Sequence, residues 1–504
     1  MKKGFKLTAA LVTAALLLSA CASGSAKSFS TLDDFYNQSL NWKTCYVENE
    51  CADLKVPIDY ADLTTGIFEI SLLRYKAADQ KNRIGSLVIN PGGPGGSGVD
   101  YAYNAEYAFD PDVLDRFDIV GFDPRGVARS EPVRCYNAAE TDESYAADSK
   151  PDSPEELAAA IADSKVFVAK CLKNTKNLTH YSSVETARDM DILRQALGDK
   201  KLNFVGKSYG TYLGTLYARI FPDNVGRFVL DGAIDPNVSV LEQNISQAVG
   251  FESALEAFIK DCNTFPNCPL PKDLNAAREF ISSIFTSAAT NPLPQKNPRD
   301  GDDRVVTESL IVLGTASALY EDVTGWPQLR KAIIEAKEGY GDTFLKLADL
   351  YSGREKNGKY SNNELDSGAV IDCLDWSQDR SVEQMTADVE LFKAKSPVFG
   401  PYLAYTGLSC KYFPPAAKTK YTLETNKVKS IGTTPILIIG TMRDPATPYA
   451  WAVGLHKIFT SSILITLNAD GHTGHGRGSE CVDTAVDEYL LGGKTPVKNL
   501  NCTL

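Results

Sequence analysis

Histidine is scarce in this chain, with four among 504 residues, so chemistry that depends on imidazole is confined to a few positions. Positive charge is also short: 52 lysines and arginines stand against 64 aspartates and glutamates, a net −12. That balance argues against nucleic acid as a partner. It says little about substrate, because an acidic surface also serves solubility. The apolar run from Leu7 to Ala20 is too short to span a bilayer. No paired C-x-x-C occurs, which removes the usual cysteine zinc site. No internal repeat is visible, and the only low-complexity stretch is ASGSAKSFS near the N-terminus.

What is present begins with a leader. Lys2, Lys3 and Lys6 precede the short apolar run, the arrangement of an export signal. The run ends in Leu18-Ser19-Ala20-Cys21, which resembles the lipobox of bacterial lipoproteins, where the cysteine is lipidated and becomes the first mature residue. The expectation is a signal peptide over 1–20, a polar tether over 21–40, and a protein anchored by lipid on the outer face of the cytoplasmic membrane. Besides Cys21, ten cysteines remain, an even number that an exported chain is expected to pair. Short loops suggest Cys45 with Cys51 and Cys262 with Cys268. Cys135 with Cys171, Cys373 with Cys410, and Cys481 with Cys502 complete the expected set.

Short β-branched runs recur between helical stretches. SLVIN (86–90), FDIVGFD (117–123), LNFVGKS (202–208), FVLDGAI (228–234), PILIIGT (435–441) and SSILITL (461–467) read as buried strands. VETARDMDILRQALG and YLGTLYARIF, on either side of the third, have helical spacing. Alternation of this kind predicts an α/β protein, a mostly parallel sheet with helices on both faces. LKVPIDY and GIFEISLLRYKA suit an antiparallel pair at one edge. Between about 236 and 429 the rhythm gives way to helices, and strands resume at Pro435. The reading is a core over 41–235 and 430–504, with a helical lid over 236–429 inserted between two strands.

The third strand ends in Gly206-Lys207-Ser208-Tyr209-Gly210, a G-x-S-x-G between a predicted strand and a predicted helix. A serine on such a strained turn presents its hydroxyl, and the helix N-terminus behind it favours a developing anion. NPGGPGGSG (90–98) follows the first strand of the series, where Gly92 and Gly93 could aim backbone N–H groups at an oxyanion together with the N–H of Tyr209. The loop does not end in G-K-[ST], and no acidic ribose reader follows, so a phosphate cradle is disfavoured. Asp444 lies just past the strand after the insertion, and His472 and His475 follow the last strand. Serine, acid and histidine therefore come in the chain order this kind of triad requires.

With NPGGPGGSG, DPRGVARS, GKSYGTYLG, DPATP and the closing DGHTGHGRGSECVDTAVDEYLLGGKTP, the chain resembles the secreted tripeptidyl and prolyl aminopeptidases of the α/β-hydrolase superfamily over about residues 40–497. The resemblance implies an α/β-hydrolase fold, Ser208 as nucleophile, Asp444 as orienting acid, and a base in the 472–475 loop. Relatives often read D-G-x-G-H-G or D-G-H-T there. The D-G-H-T match favours His472, with His475 the alternative. The resemblance further implies short peptides cut from a free N-terminus, with no metal or organic cofactor. An acid on the lid would then pair with the substrate ammonium group, and Asp375 and Asp372, in IDCLDW, are the candidates. Asp123 and Arg125 of DPRGVARS read as structural. Two other functions share parts of this pattern. An ester hydrolase acting on lipid or cell-wall esters would keep the triad without the lid acid, and a surface binding protein would need neither.

Overall fold

The structure is a computed structural model and describes residues 29–298, 301–376, 380–417 and 435–504. Cys21 and the expected signal peptide over 1–20 lie outside these residues. Among the described residues ten strands form one sheet: β1 (Lys43–Cys45), β2 (Asn49–Pro57), β3 (Ile67–Tyr75), β4 (Gly85–Asn90), β5 (Phe117–Phe122), β6 (Leu202–Lys207), β7 (Val225–Asp231), β8 (Leu437–Arg443), β9 (Ile463–Asp470) and β10 (Leu500–Thr503). Their order is β1-β2-β3-β5-β4-β6-β7-β8-β9-β10. β5 through β10 run parallel, and β1, β2 and β3 are joined antiparallel at one side.

β4 and β5 are buried at every position, as parallel strands covered on both faces should be. Their side chains alternate between two cores. Val88, Val120, Phe204 and Ile438 pack on one face of the sheet, and Leu87, Ile119, Val205 and Ile439 on the other. Most strands lie close to their expected places, but β7 begins three residues earlier than expected, at Val225, and β2 five residues earlier, at Asn49. β1 and β10 were not among the expected strands. Both are very short, and hairpin or edge pairing rather than apolar patterning defines them.

β7 and β8 are hydrogen-bonded neighbours, yet about two hundred residues separate them. The described part of that insertion is built of helices, among them Val240–Cys262, Leu274–Thr290, Glu308–Leu319 and Glu364–Asp375. The first three, with Gly325–Lys337 and Asp342–Ser352, enclose a core of their own around Phe258, Phe285, Trp326 and Phe344, whereas Glu364–Asp375 packs through Val370, Ile371 and Leu374 into the core on one face of the sheet. Among the described residues five disulfides form: Cys45–Cys51, Cys135–Cys171, Cys262–Cys268, Cys373–Cys410 and Cys481–Cys502. This set matches the expected pairing and suits a chain that folds in an oxidising compartment. Among the described residues no helix is long and apolar enough to cross a membrane.

Candidate active site

The end of β6 turns sharply into the helix Tyr209–Ile220. Ser208 occupies that turn with φ 53° and ψ −125°, a left-sided conformation that a non-glycine residue adopts only when its surroundings hold it. Here the surroundings are explicit. The Ser208 N–H donates to the carbonyl of Asp231 at the end of β7, at 2.8 Å. The two glycines of the motif answer a steric demand. A Cβ on Gly206 would fall 2.4 Å from the Gly210 carbonyl oxygen, and one on Gly210 would meet the Asn90 backbone and side chain at 2.8 Å.

Asn90 ends β4, and the glycine loop that follows lies against the turn. A Cβ on Gly92 would come within 2.9 Å of the Ser208 Cβ and 3.2 Å of the Tyr209 nitrogen. The Gly92 N–H itself donates to Asn90 Oδ1 at 3.0 Å. It is thereby engaged, so Gly92 fits the oxyanion role expected of it less well than Gly93. Gly93 borders the same cavity as Ser208 and Tyr209. Asp123 secures the far end of the loop, accepting from the Ser97 hydroxyl at 2.5 Å and the Val99 N–H at 3.1 Å. Arg125 is fully buried and forks onto Asp189 at 2.6 and 2.8 Å, a structural clamp as expected.

Asp444 follows β8 and is buried. Its carboxylate takes the Nδ1 edge of His472 at 2.8 and 2.9 Å. It also accepts from the N–H groups of Ala446, Thr447 and Thr473 and from the Thr447 hydroxyl. Burial opposes its charge, but the adjacent His472 and these hydrogen bonds outweigh it and hold the carboxyl below its ordinary range. With Nδ1 so engaged, Nε2 is the nitrogen left for chemistry. The His472 ring borders the same corner as Ser208: its Cε1 is 3.4 Å from where a Cβ on Gly232 would stand, one residue beyond the Asp231 carbonyl that holds Ser208.

His475 is placed differently. It is buried, its ring lies 5.8 Å from that of Phe109, and its Nε2 is 3.9 Å from Asp487. Its backbone N–H goes to Asp231 and its carbonyl accepts from Lys207 Nζ at 2.8 Å. Asp444 thus engages one histidine of the loop, and the other helps fasten the loop to the sheet.

The insertion reaches this site in three places. The Tyr320 carbonyl accepts from the His472 N–H at 2.9 Å, and its ring stands edge-on to the imidazole at 5.2 Å. Asp322 accepts from Arg477 at 2.8 Å. The helix Glu364–Asp375 forms part of the wall of a cavity of about 430 Å³, bordered by Gly93, Ser208, Tyr209, Asp372, Trp376 and Trp451. Asp372 opens to solvent through the cavity yet is walled by protein, and burial, reinforced by the like charge of Asp375, pushes its carboxyl up to about 8. Asp375 is engaged elsewhere, taking the Ser183 N–H at 2.8 Å and the Ser183 hydroxyl. Of the two acids expected to meet a substrate ammonium group, Asp372 is the one that lines the cavity. Ser183, Tyr320 and Thr447 had no expected role; of these only Thr447, three residues after Asp444, had a local signal, the Asp side chain of an Asx-type turn.

Elsewhere, Asp59, His180 and Glu185 bring ligand-type atoms within 4.8 Å of one another. The Arg125 guanidinium, 3.6 Å from Glu185, already supplies positive charge there.

A family model described as alpha/beta hydrolase fold matches residues 85–478. The serine protease Hip1 of Mycobacterium tuberculosis is 35% identical over 512 aligned positions, covering 98% of this chain and 96% of that protein. Carboxylesterase B of the same organism is 36% identical over 464 positions, covering 90% and 86%. The tripeptidyl aminopeptidase of Streptomyces lividans is 30% identical over 488 positions, covering 92% and 86%. A mostly parallel sheet, a serine on the turn after β6 and a family match over most of the chain agree, and the chain belongs to the alpha/beta hydrolase family.

Proposed function

We propose that the protein is a serine exopeptidase that releases short peptides or single residues from the free N-terminus of peptides. The observation that carries the proposal is the Asp444 carboxylate on His472 Nδ1 beside the strained Ser208 turn. In this reading His472 Nε2 takes the Ser208 proton as the hydroxyl attacks a carbonyl, and Asp444 fixes the tautomer and steadies the imidazolium. The Tyr209 and Gly93 N–H groups hold the oxyanion. His472 then protonates the leaving amine, and water resolves the acyl-enzyme.

The peptide assignment is supported by Asp372 in a walled cavity and by the relatives named serine protease and tripeptidyl aminopeptidase. The relative named carboxylesterase favours ester hydrolysis as the second reading. Chromogenic peptide amides with free and blocked N-termini, run beside short acyl esters, separate the two. Preference for the free N-terminus supports the exopeptidase. Turnover of esters alone refutes it.

Asp372→Asn removes the proposed partner of the substrate ammonium group. A charge-assisted contact is worth about 1.5–3 kcal/mol, so kcat/KM for free-N-terminus peptides is expected to fall roughly 10- to 100-fold, with acyl esters unaffected. The carboxylate must be ionised to bind an ammonium ion. Since its pKa is raised to about 8, the peptide rate should climb from pH 6 to 8 more steeply than the ester rate. The variant should lose that extra climb. Equal pH profiles for both substrates in the wild type would remove Asp372 from the role.

We also propose that Cys21 carries a lipid anchor. Cys21→Ala is expected to free the protein from the membrane fraction or to leave its precursor uncleaved. A wild-type protein that is wholly soluble, with Cys21 unmodified by mass, would overturn the anchor.

A further inference from the structure

The residue after the nucleophile has a side chain with its own attachment. Tyr209 is buried, and its hydroxyl meets the Ser183 hydroxyl. Ser183 opens the core helix Ser183–Ala196, is fully buried, and is bound in turn by Asp375 through both its N–H and its hydroxyl. Asp375 ends the insertion helix Glu364–Asp375. Three segments far apart in sequence therefore share one hydrogen-bonded chain.

The protons set its direction. Burial pushes the Asp375 carboxyl up to about 7; in its ionised form it only accepts, so the Ser183 hydroxyl then donates to Asp375 and the Ser183 oxygen accepts the Tyr209 proton. Neighbouring contacts brace the same junction. Trp376, next to Asp375, lies 4.7 Å ring to ring from Tyr212, one turn along the helix that Tyr209 begins. The Cys373–Cys410 disulfide fixes the insertion helix two residues before Asp375.

We propose that Asp375 is a positioning residue for the oxyanion hole: through Ser183 it holds the Tyr209 side chain, and so the direction of the Tyr209 N–H. The insertion then sets the catalytic rate as well as access to the cavity. This rests on the reading of Ser208 as nucleophile and of the Tyr209 N–H as an oxyanion donor. It also separates the two acids of IDCLDW, with Asp372 facing substrate and Asp375 facing the core.

The test uses the hydrolysis of a short acyl ester, which needs no substrate ammonium group. Rates are expressed per site titrated with a fluorophosphonate, so unfolded molecules do not count. Loss of a whole oxyanion donor lowers kcat about 10²- to 10³-fold, and a misdirected donor loses part of that. Tyr209→Phe and Ser183→Ala are each expected to lower kcat about tenfold, with KM within about twofold. Because both break one chain, the double variant should be no slower than the slower single one. Asp375→Ala should match Ser183→Ala, whereas Asp375→Asn, which keeps an acceptor oxygen, should recover most of the rate. Full kcat in Tyr209→Phe, multiplied losses in the double variant, or equal rates in Asp375→Asn and Asp375→Ala would overturn the proposal. Ser208→Ala separates the two levels of inference. Turnover that survives in it refutes the nucleophile, and an inactive Ser208→Ala beside a fully active Tyr209→Phe refutes the positioning chain alone.

Discussion

Ser208→Ala is expected to lower kcat on the order of 10⁶-fold while the fold persists. The loss is large because the hydroxyl is the only atom group that the proposed mechanism makes covalent to substrate, and no neighbouring group can replace it. The fold should persist because the contacts that shape the turn are made by the backbone. The Ser208 N–H reaches Asp231, and its carbonyl accepts from Thr211. Both remain in the alanine variant, which inherits the same strained φ. A fluorophosphonate should label the wild type and not the variant, at closely similar melting temperatures. Labelling that survives the substitution would move the nucleophile elsewhere. A variant that is inactive only because it has unfolded would show itself in the melting curve.

The parts of this site that were legible in the sequence are those whose signal is local. Parallel strands buried on both faces read as continuous apolar runs, so β4, β5, β6, β8 and β9 stood close to their expected places. The serine announced itself by glycines two residues to either side, and the acid and histidine by following strands in order. β1 and β10 carry no such pattern: each is too short to show a period and owes its place to pairing with β2 and β9. The division of labour between Asp372 and Asp375 was equally hidden. Three residues apart on one helix, they differ only in what the fold brings to each, a cavity or Ser183 from a segment 192 residues away. Asp231 is the clearest case of a role no motif marks. Its carbonyl holds Ser208 while its carboxylate holds the N–H groups of Gly474 and His475, so a single strand end ties the serine turn to the histidine loop.

That loop yields the second large effect. The sequence left two histidines three residues apart among glycines, and reach excluded neither. In the structure Asp444 lies on Nδ1 of His472, the Thr447 hydroxyl lies against the same nitrogen, and Tyr320 stands edge-on to the ring. A general base needs a set tautomer and a set direction, and His472 has both. His475 has its Nε2 3.9 Å from Asp487, and its Nδ1 is buried with no hydrogen-bond partner. Its two well-formed hydrogen bonds, to Asp231 and from Lys207, belong to the backbone and survive truncation of the ring. His472→Ala is therefore expected to match Ser208→Ala in damage, on the order of 10⁶-fold in kcat. His475→Ala should lose less than about a hundredfold, the scale of disturbed positioning, and should lower the melting temperature because the ring leaves a cavity against Phe109. Steady-state rates and melting curves of the two variants, measured side by side, check both halves. Equal losses would mean that the loop acts as one unit. Near-wild-type turnover in His472→Ala with an inactive His475→Ala would transfer the base to His475 and leave the Asp444–His472 pair without a catalytic role.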